Sequence, residues 1–222
     1  MMSINHHVSD ELLLRYASGE LAEGWSLAVA THLALCPSCR QRLAKMETIG
    51  GALLENISMG TASDDAWARM RSRIDKMEAP VSRPKEDHPQ VPGAMPILPE
   101  PLRSYLGGDI DSLKWRSLGM GAYQIPIRLA DASTIARLLR IPAGKPVPEH
   151  GHAGQELTLV LAGSFRDGSD VFARGDLEEA DASLTHQPLA SEGEDCICLA
   201  VTDAPLKFKS WLVRLIQPVL GI

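Results

Sequence analysis

His32, Cys36 and Cys39 put one imidazole and two thiols within about two turns of a helix. Spaced i, i+4 and i+7 they fall along one stripe, and Pro37, suited to the first position of a new helix, leaves all three within reach of a single ion. Thiolates and neutral imidazole are the donors that tetrahedral zinc takes in structural sites, so the set lacks one ligand. The only other histidines or cysteines ahead of the proline-rich tract are His6 and His7, and His7 is the first choice for that ligand with His6 as its alternative. A thioredoxin-like dithiol would need a strand before Cys36-x-x-Cys39; here a helical pattern precedes it and His32 stands four residues upstream, which favours zinc.

A second constellation lies near residue 150. In an extended segment His150 and His152 project from the same face, and Glu156 follows at the start of an apolar run with a carboxylate oxygen to offer. His186, the only later histidine, can complete a set of three imidazoles and one carboxylate. Such a set suits zinc, manganese, iron or nickel alike. Glu149 is the one adjacent candidate for a general base, and Cys196 and Cys198, two apart on an expected strand, face one side together.

The elements that must carry these groups follow two periodicities. Ser9 reads as the cap of a short helix with Asp10 and Glu11 in its first turn and Gly19 at its end. A second helix over residues 23–35 delivers His32, and a third runs from Pro37 past Gly50 and Gly51 along Leu43, Met46, Ile49, Leu53, Leu54 and Ile57. Ser63 is expected to cap a fourth, whose Trp67, Met70, Ile74 and Met77 form an apolar stripe opposite Arg69, Arg71, Arg73 and Lys76. Seven of the fifteen prolines lie between Pro80 and Pro101, marking a stiff linker that also holds His88. Beyond it the period falls to two, with strands expected over 115–118, 123–129, 135–141, 157–165 and 196–202 and an apolar helix at the C-terminus after Phe208. The reading is a multidomain α + β chain: a helical zinc-binding bundle at 1–79, a linker at 80–101 and a sandwich or barrel of short strands at 102–222.

Composition narrows the function classes. A net charge of -6 argues against direct nucleic-acid binding, which draws on clustered Lys and Arg. Four cysteines in two close pairs are not a secreted disulfide framework, and neither a signal-peptide pattern nor an apolar run of membrane-spanning length is seen, so the expected compartment is the cytoplasm and no membrane partner is expected.

From Gly144 to Gly163 the chain matches the first cupin motif without a gap: glycine, five residues, His-x-His, three residues, Glu, six residues, glycine. This stretch resembles a cupin jelly roll. The second cupin motif keeps His186 but has Asp181 and Ser183 where proline and glycine are usual, and Ala190 in place of asparagine. An N-terminal His, His-x-x-x-Cys-x-x-Cys, a proline-rich linker and a cupin together resemble the ChrR family of zinc anti-sigma factors over nearly the whole chain. That resemblance implies a structural zinc on His7, His32, Cys36 and Cys39, and a second divalent transition metal, zinc or another, on His150, His152, Glu156 and His186. It also implies a 1:1 complex of the helical domain with an extracytoplasmic function (group IV) sigma factor, blocked from RNA polymerase until the cupin responds to an oxidative signal such as singlet oxygen. The competing expectation is a metal-dependent cupin oxygenase or hydrolase with an accessory helical domain.

Overall fold

The computed structural model describes residues 3–77 and 96–209. Most of the proline-rich tract, with His88, and the helix expected after Phe208 lie outside the described residues. Two compact units are formed, Met1–Met46 with Met95–Ile222, and Glu47–Ala94. No helix among the described residues is long and apolar enough to cross a membrane.

Helix α1 spans Asp10–Ala17, and Ser9 caps it as expected, its side chain accepting from the Leu12 N–H at 3.3 Å beside the acidic first turn. Helix α2, Glu23–Leu35, is mostly buried, and α3, Pro37–Glu55, opens on its proline and runs through both central glycines. Helix α4, Ala66–Lys76, starts later than the sequence suggests. Its N-cap is Asp65, whose carboxylate binds Arg69 at 2.6 Å instead of capping; the Ser63 hydroxyl oxygen likewise accepts from Arg69, at 3.0 Å, and only the Ser63 carbonyl meets the helix backbone, accepting from the Ala66 N–H at 2.8 Å. Helix α5, Glu100–Leu106, is not expected from the sequence: it opens on the last two residues of the tract that reads as linker, 80–101, and runs on into the stretch that reads as the start of the strand domain. Pro101 fits its first turn, where the missing N–H costs nothing, and Gly107 ends it at φ 75°.

Among the described residues twelve strands follow, all paired antiparallel. The large sheet has the order β1-β2-β3-β11-β5-β8, from β1 (Arg116–Gly119), β2 (Ala122–Ile127), β3 (Ile135–Ile141), β11 (Cys196–Thr202), β5 (Glu156–Ala162) and β8 (Leu177–Ala180). Two three-stranded sheets complete the sandwich. One is β10 (Leu189–Ala190), β6 (Ser164–Asp167) and β7 (Asp170–Ala173); the other is β12 (Leu206–Phe208), β4 (His150–His152) and β9 (Thr185–His186). The run expected as one strand from Leu157 to Phe165 is broken at Gly163, which adopts φ 65° and whose added Cβ would stand 2.5 Å from the Asp195 carbonyl oxygen. That break sends β6 into a different sheet from β5.

Val8, Leu13 and Val29 from the amino-terminal helical region, Leu98 and Leu102 around α5, and Leu138, Leu159, Leu199 and Val201 from the strands belong to one continuous apolar core. Helix α2 packs on α5, β5 and β11. Helix α2 therefore buries its apolar side chains against the sandwich, because short helices alone cannot cover enough surface. Leu102→Ala should destabilise the unit by about 2–5 kcal/mol, the cost of an unfilled leucine cavity. Hydrogen exchange should show α2 and β11 losing protection together; loss confined to α5 would refute a shared core.

Candidate metal centres

The first centre sits where α2 hands over to α3. His32 lies in the last turn of α2, Cys36 is its C-cap residue and Cys39 is in the first turn of α3, while the chain ahead of α1 brings in His7. His32 Nε2 is 3.3 Å from Cys39 Sγ, and His7 Nδ1 is 3.3 Å from Cys36 Sγ and 3.5 Å from Cys39 Sγ. The four donor atoms lie within 4.8 Å of one another. Of the two histidines the sequence leaves open, His6 is turned away: its ring lies 4.2 Å from that of Phe172.

The protonation states suit a metal. The Gly175 carbonyl can only accept, so His32 Nδ1–H donates to it at 2.9 Å and the Nε2 lone pair faces Cys39. Burial pulls the His32 pKa down to about 4, against a smaller opposing effect of that hydrogen bond, so the ring is neutral at pH 7. Burial and the neighbouring Cys36 push the Cys39 thiol up. A metal must displace that proton, so apparent affinity should rise with pH and fall in acid, a trend readable by chelator competition between pH 6 and 8.5. Pairs of sulfur and nitrogen donors, buried together, fit a tetrahedral closed site.

The second centre is built by strand register. Pairing of β4 with β9 sets His150 opposite His186, and His152 lies on the same face as His150. His186 Nε2 is 3.2 Å from His150 Nε2 and 3.1 Å from His152 Nε2. Three imidazole nitrogens gathered at this distance in a buried place are an arrangement that a cation satisfies. Glu156 stands one step outside the trio, its Oε1 accepting from the Thr158 hydroxyl at 2.9 Å and its Oε2 3.4 Å from His152 Nδ1. Both Glu156 Oε2 and His152 Nδ1 are buried without a hydrogen bond, so the carboxylate has a free oxygen to offer a metal.

Two participants were missed in the sequence. Asp167 Oδ2 accepts from His186 Nδ1–H at 2.7 Å, which leaves Nε2 unprotonated toward the other two rings. Glu178 lies 3.8 Å from the same Nδ1, its pKa pushed up to about 8 by burial and the nearby Asp167. Asp167-Gly168 reads locally as a turn and nothing in its spacing points to a histidine nineteen residues away. Glu149 does not face the centre; it pairs with Lys209 near the surface. Cys196 and Cys198 both line a cavity of about 70 Å³ beside His150, Glu156 and His186. They are reduced, and the Cys198 thiol is raised well above its usual range by its contact with Cys196 and by burial.

Residues 105–205 match the family described as the ChrR cupin-like domain. Over 221 residues, all of both chains, the sequence is 47% identical to the anti-sigma-E factor ChrR of Cereibacter sphaeroides, a regulator and not an enzyme. The fold is similar to that of the anti-sigma ChrR crystallised in complex with Rhodobacter sphaeroides SigE, with a TM-score of 0.76, 44% identity, and coverage of 90% of this chain and 100% of that one. With helices, cupin sandwich and both side-chain clusters in place along a full-length match, the chain belongs to the ChrR family of anti-sigma factors.

Proposed function

We propose that this chain inhibits an extracytoplasmic function sigma factor in the cytoplasm by forming a 1:1 complex with it, and releases it when the cupin meets an oxidant such as singlet oxygen. The observation that carries the reading, beside the full-length match to an anti-sigma factor, is the state of residues 47–77: apart from the half-buried Ala66, every one is exposed. Trp67, Met70 and Ile74 on one stripe of α4 are 69%, 51% and 55% exposed, and Ile49, Leu53, Leu54 and Ile57 add to the apolar surface of that unit. An amphipathic helix bearing unburied anchors at i, i+3 and i+7 suits insertion into a groove of a partner protein. Zinc on His7, His32, Cys36 and Cys39 would hold the end of α2 to the start of α3. Co-expression with the extracytoplasmic function sigma factors of the same genome should yield a stoichiometric complex with one of them in size-exclusion chromatography; separate elution from all of them at micromolar concentration would sink the proposal.

The cupin centre is assigned the sensing role, with a divalent transition metal on His150, His152, Glu156 and His186. Its cavity of about 70 Å³ has room for a few water-sized molecules, far less than the several hundred Å³ of a typical organic-substrate pocket, and is lined by the two thiols of Cys196 and Cys198 and the imidazoles of His150 and His186, which a small oxidant could reach. His150→Ala with His152→Ala should remove one equivalent of metal and abolish release by photogenerated singlet oxygen, while sigma binding stays within about threefold. Release that survives the loss of that metal would refute the assignment.

A further inference from the structure

The turn between β7 and β8 grips the amino-terminal centre across more than 140 residues of sequence. Gly175 accepts the His32 Nδ1–H at 2.9 Å. Asp176, 1% exposed, accepts the backbone N–H of Asn5 at 2.6 Å and of His6 at 2.8 Å on Oδ1, and that of Ala173 at 2.9 Å on Oδ2. The Leu177 N–H donates to the His6 carbonyl at 3.2 Å, and Glu179 accepts the Ser9 N–H at 2.7 Å. Every residue from Gly175 to Glu179 except Glu178 is thus bonded either to His32 or to the backbone on both sides of His7. Glu178, between them, is the one that turns to His186 in the other centre. Gly175 adopts φ 95°, and an added Cβ would stand 2.6 Å from Ile4 Cδ1, so the turn approaches the segment ahead of α1 as closely as only glycine allows.

A buried carboxylate is costly unless its oxygens are met, and apolar packing alone could have held this segment down. What the carboxylate adds is direction: charge-assisted bonds to two successive N–H groups set the backbone from which His7 reaches Cys36 and Cys39. We propose that Gly175 and Asp176 of the cupin are positioning residues of the amino-terminal metal centre, Gly175 fixing the tautomer and ring angle of His32 and Asp176 fixing the approach of His7. The inference rests on the zinc reading of His7, His32, Cys36 and Cys39. It makes the metal grip of the helical region depend on the cupin turn, and β8, which follows that turn directly, bonds to the backbone beside His7 through Leu177 and Glu179 and approaches His186 through Glu178.

The test uses the full chain with Cys196→Ser and Cys198→Ser, so that a thiolate-to-cobalt charge-transfer band reports Cys36 and Cys39 alone. Cobalt(II) spectra and zinc competition against a chromophoric chelator are then read for Asp176→Ala, Asp176→Asn, Asn5→Pro and Asn5→Ala. Loss of an outer partner of a metal site weakens it about 10–100-fold. Asp176→Ala should weaken zinc binding by that factor and shift the cobalt bands, with Asp176→Asn restoring part of both. Asn5→Pro deletes one of the two N–H donors without touching the sandwich, and should weaken zinc several-fold where Asn5→Ala does not; it decides the matter if Asp176→Ala does not fold. Spectra and affinities unchanged in Asn5→Pro and in folded Asp176→Ala would overturn the positioning role alone. A parent chain without the charge-transfer band would overturn the zinc assignment, and the positioning role with it.

Discussion

Replacing Cys36 and Cys39 together by serine is expected to strip the amino-terminal metal and weaken sigma binding by at least about 100-fold, or about 3 kcal/mol. Structural zinc sites of this donor type contribute on the order of 10 kcal/mol, and two of the four ligands would be gone. The helices would not all unfold, because Leu13, Val29 and Leu33 remain buried in the core shared with the strands. What is lost is the junction: Cys36 caps the end of α2 and Cys39 lies in the first turn of α3, so without the ion the end of one helix is tied to the start of the next chiefly by Arg40, whose guanidinium donates to the Leu33 carbonyl at 2.6 Å and the Ala34 carbonyl at 3.3 Å and whose backbone N–H donates to the Cys36 carbonyl at 3.2 Å. Elemental analysis and titration calorimetry against the sigma factor read both effects. A variant that is metal-free and still binds sigma at the parental affinity would remove zinc from the inhibitory mechanism.

Trp67→Asp should cost sigma affinity at least about 30-fold, a hot-spot loss of about 2 kcal/mol or more, and Met70→Ala with Ile74→Ala should add to it. The same substitutions should leave thermal stability nearly unchanged, within about 0.5 kcal/mol, because these side chains are exposed by half or more in the free chain. The pairing of results matters. A stripe that closed a helical bundle would show the reverse, a fall in melting temperature with affinity following only through unfolding. Zinc content should be unaffected by either variant, which separates an interface defect from a defect of the metal centre.

Both centres could be found in the sequence because most of their donors are local. His-x-x-x-Cys-x-x-Cys needs only the pitch of a helix and a turn, and His-x-His with a glutamate four residues on needs only the pleat of a strand, so spacing alone names these residues. The strands over Ile135–Ile141 and Cys196–Thr202 are legible end to end for a related reason: each is a seven-residue, largely apolar run of strand length in mid-sheet, the second buried throughout. Helix α4 shows its stripe but not its start, since the competition of Arg69 for the Asp65 carboxylate is a side-chain event that no periodicity records.

What the tertiary structure decided is everything that depends on partners far along the chain. The choice between adjacent His6 and His7 turns on Phe172 and Asp176, which hold the first ring aside and aim the second. The orientation of His186 depends on Asp167, and that of His32 on the Gly175 carbonyl. Helix α5 forms at the end of the proline-rich stretch because Leu98 and Leu102 find a core to enter, a gain that outweighs weak local propensity. Local order is written in residue spacing, since neighbours on a helix or strand are neighbours in sequence. Outer-shell hydrogen bonds and a core common to helices and strands are set by the folding of the chain back on itself, which leaves no periodic trace in a single sequence.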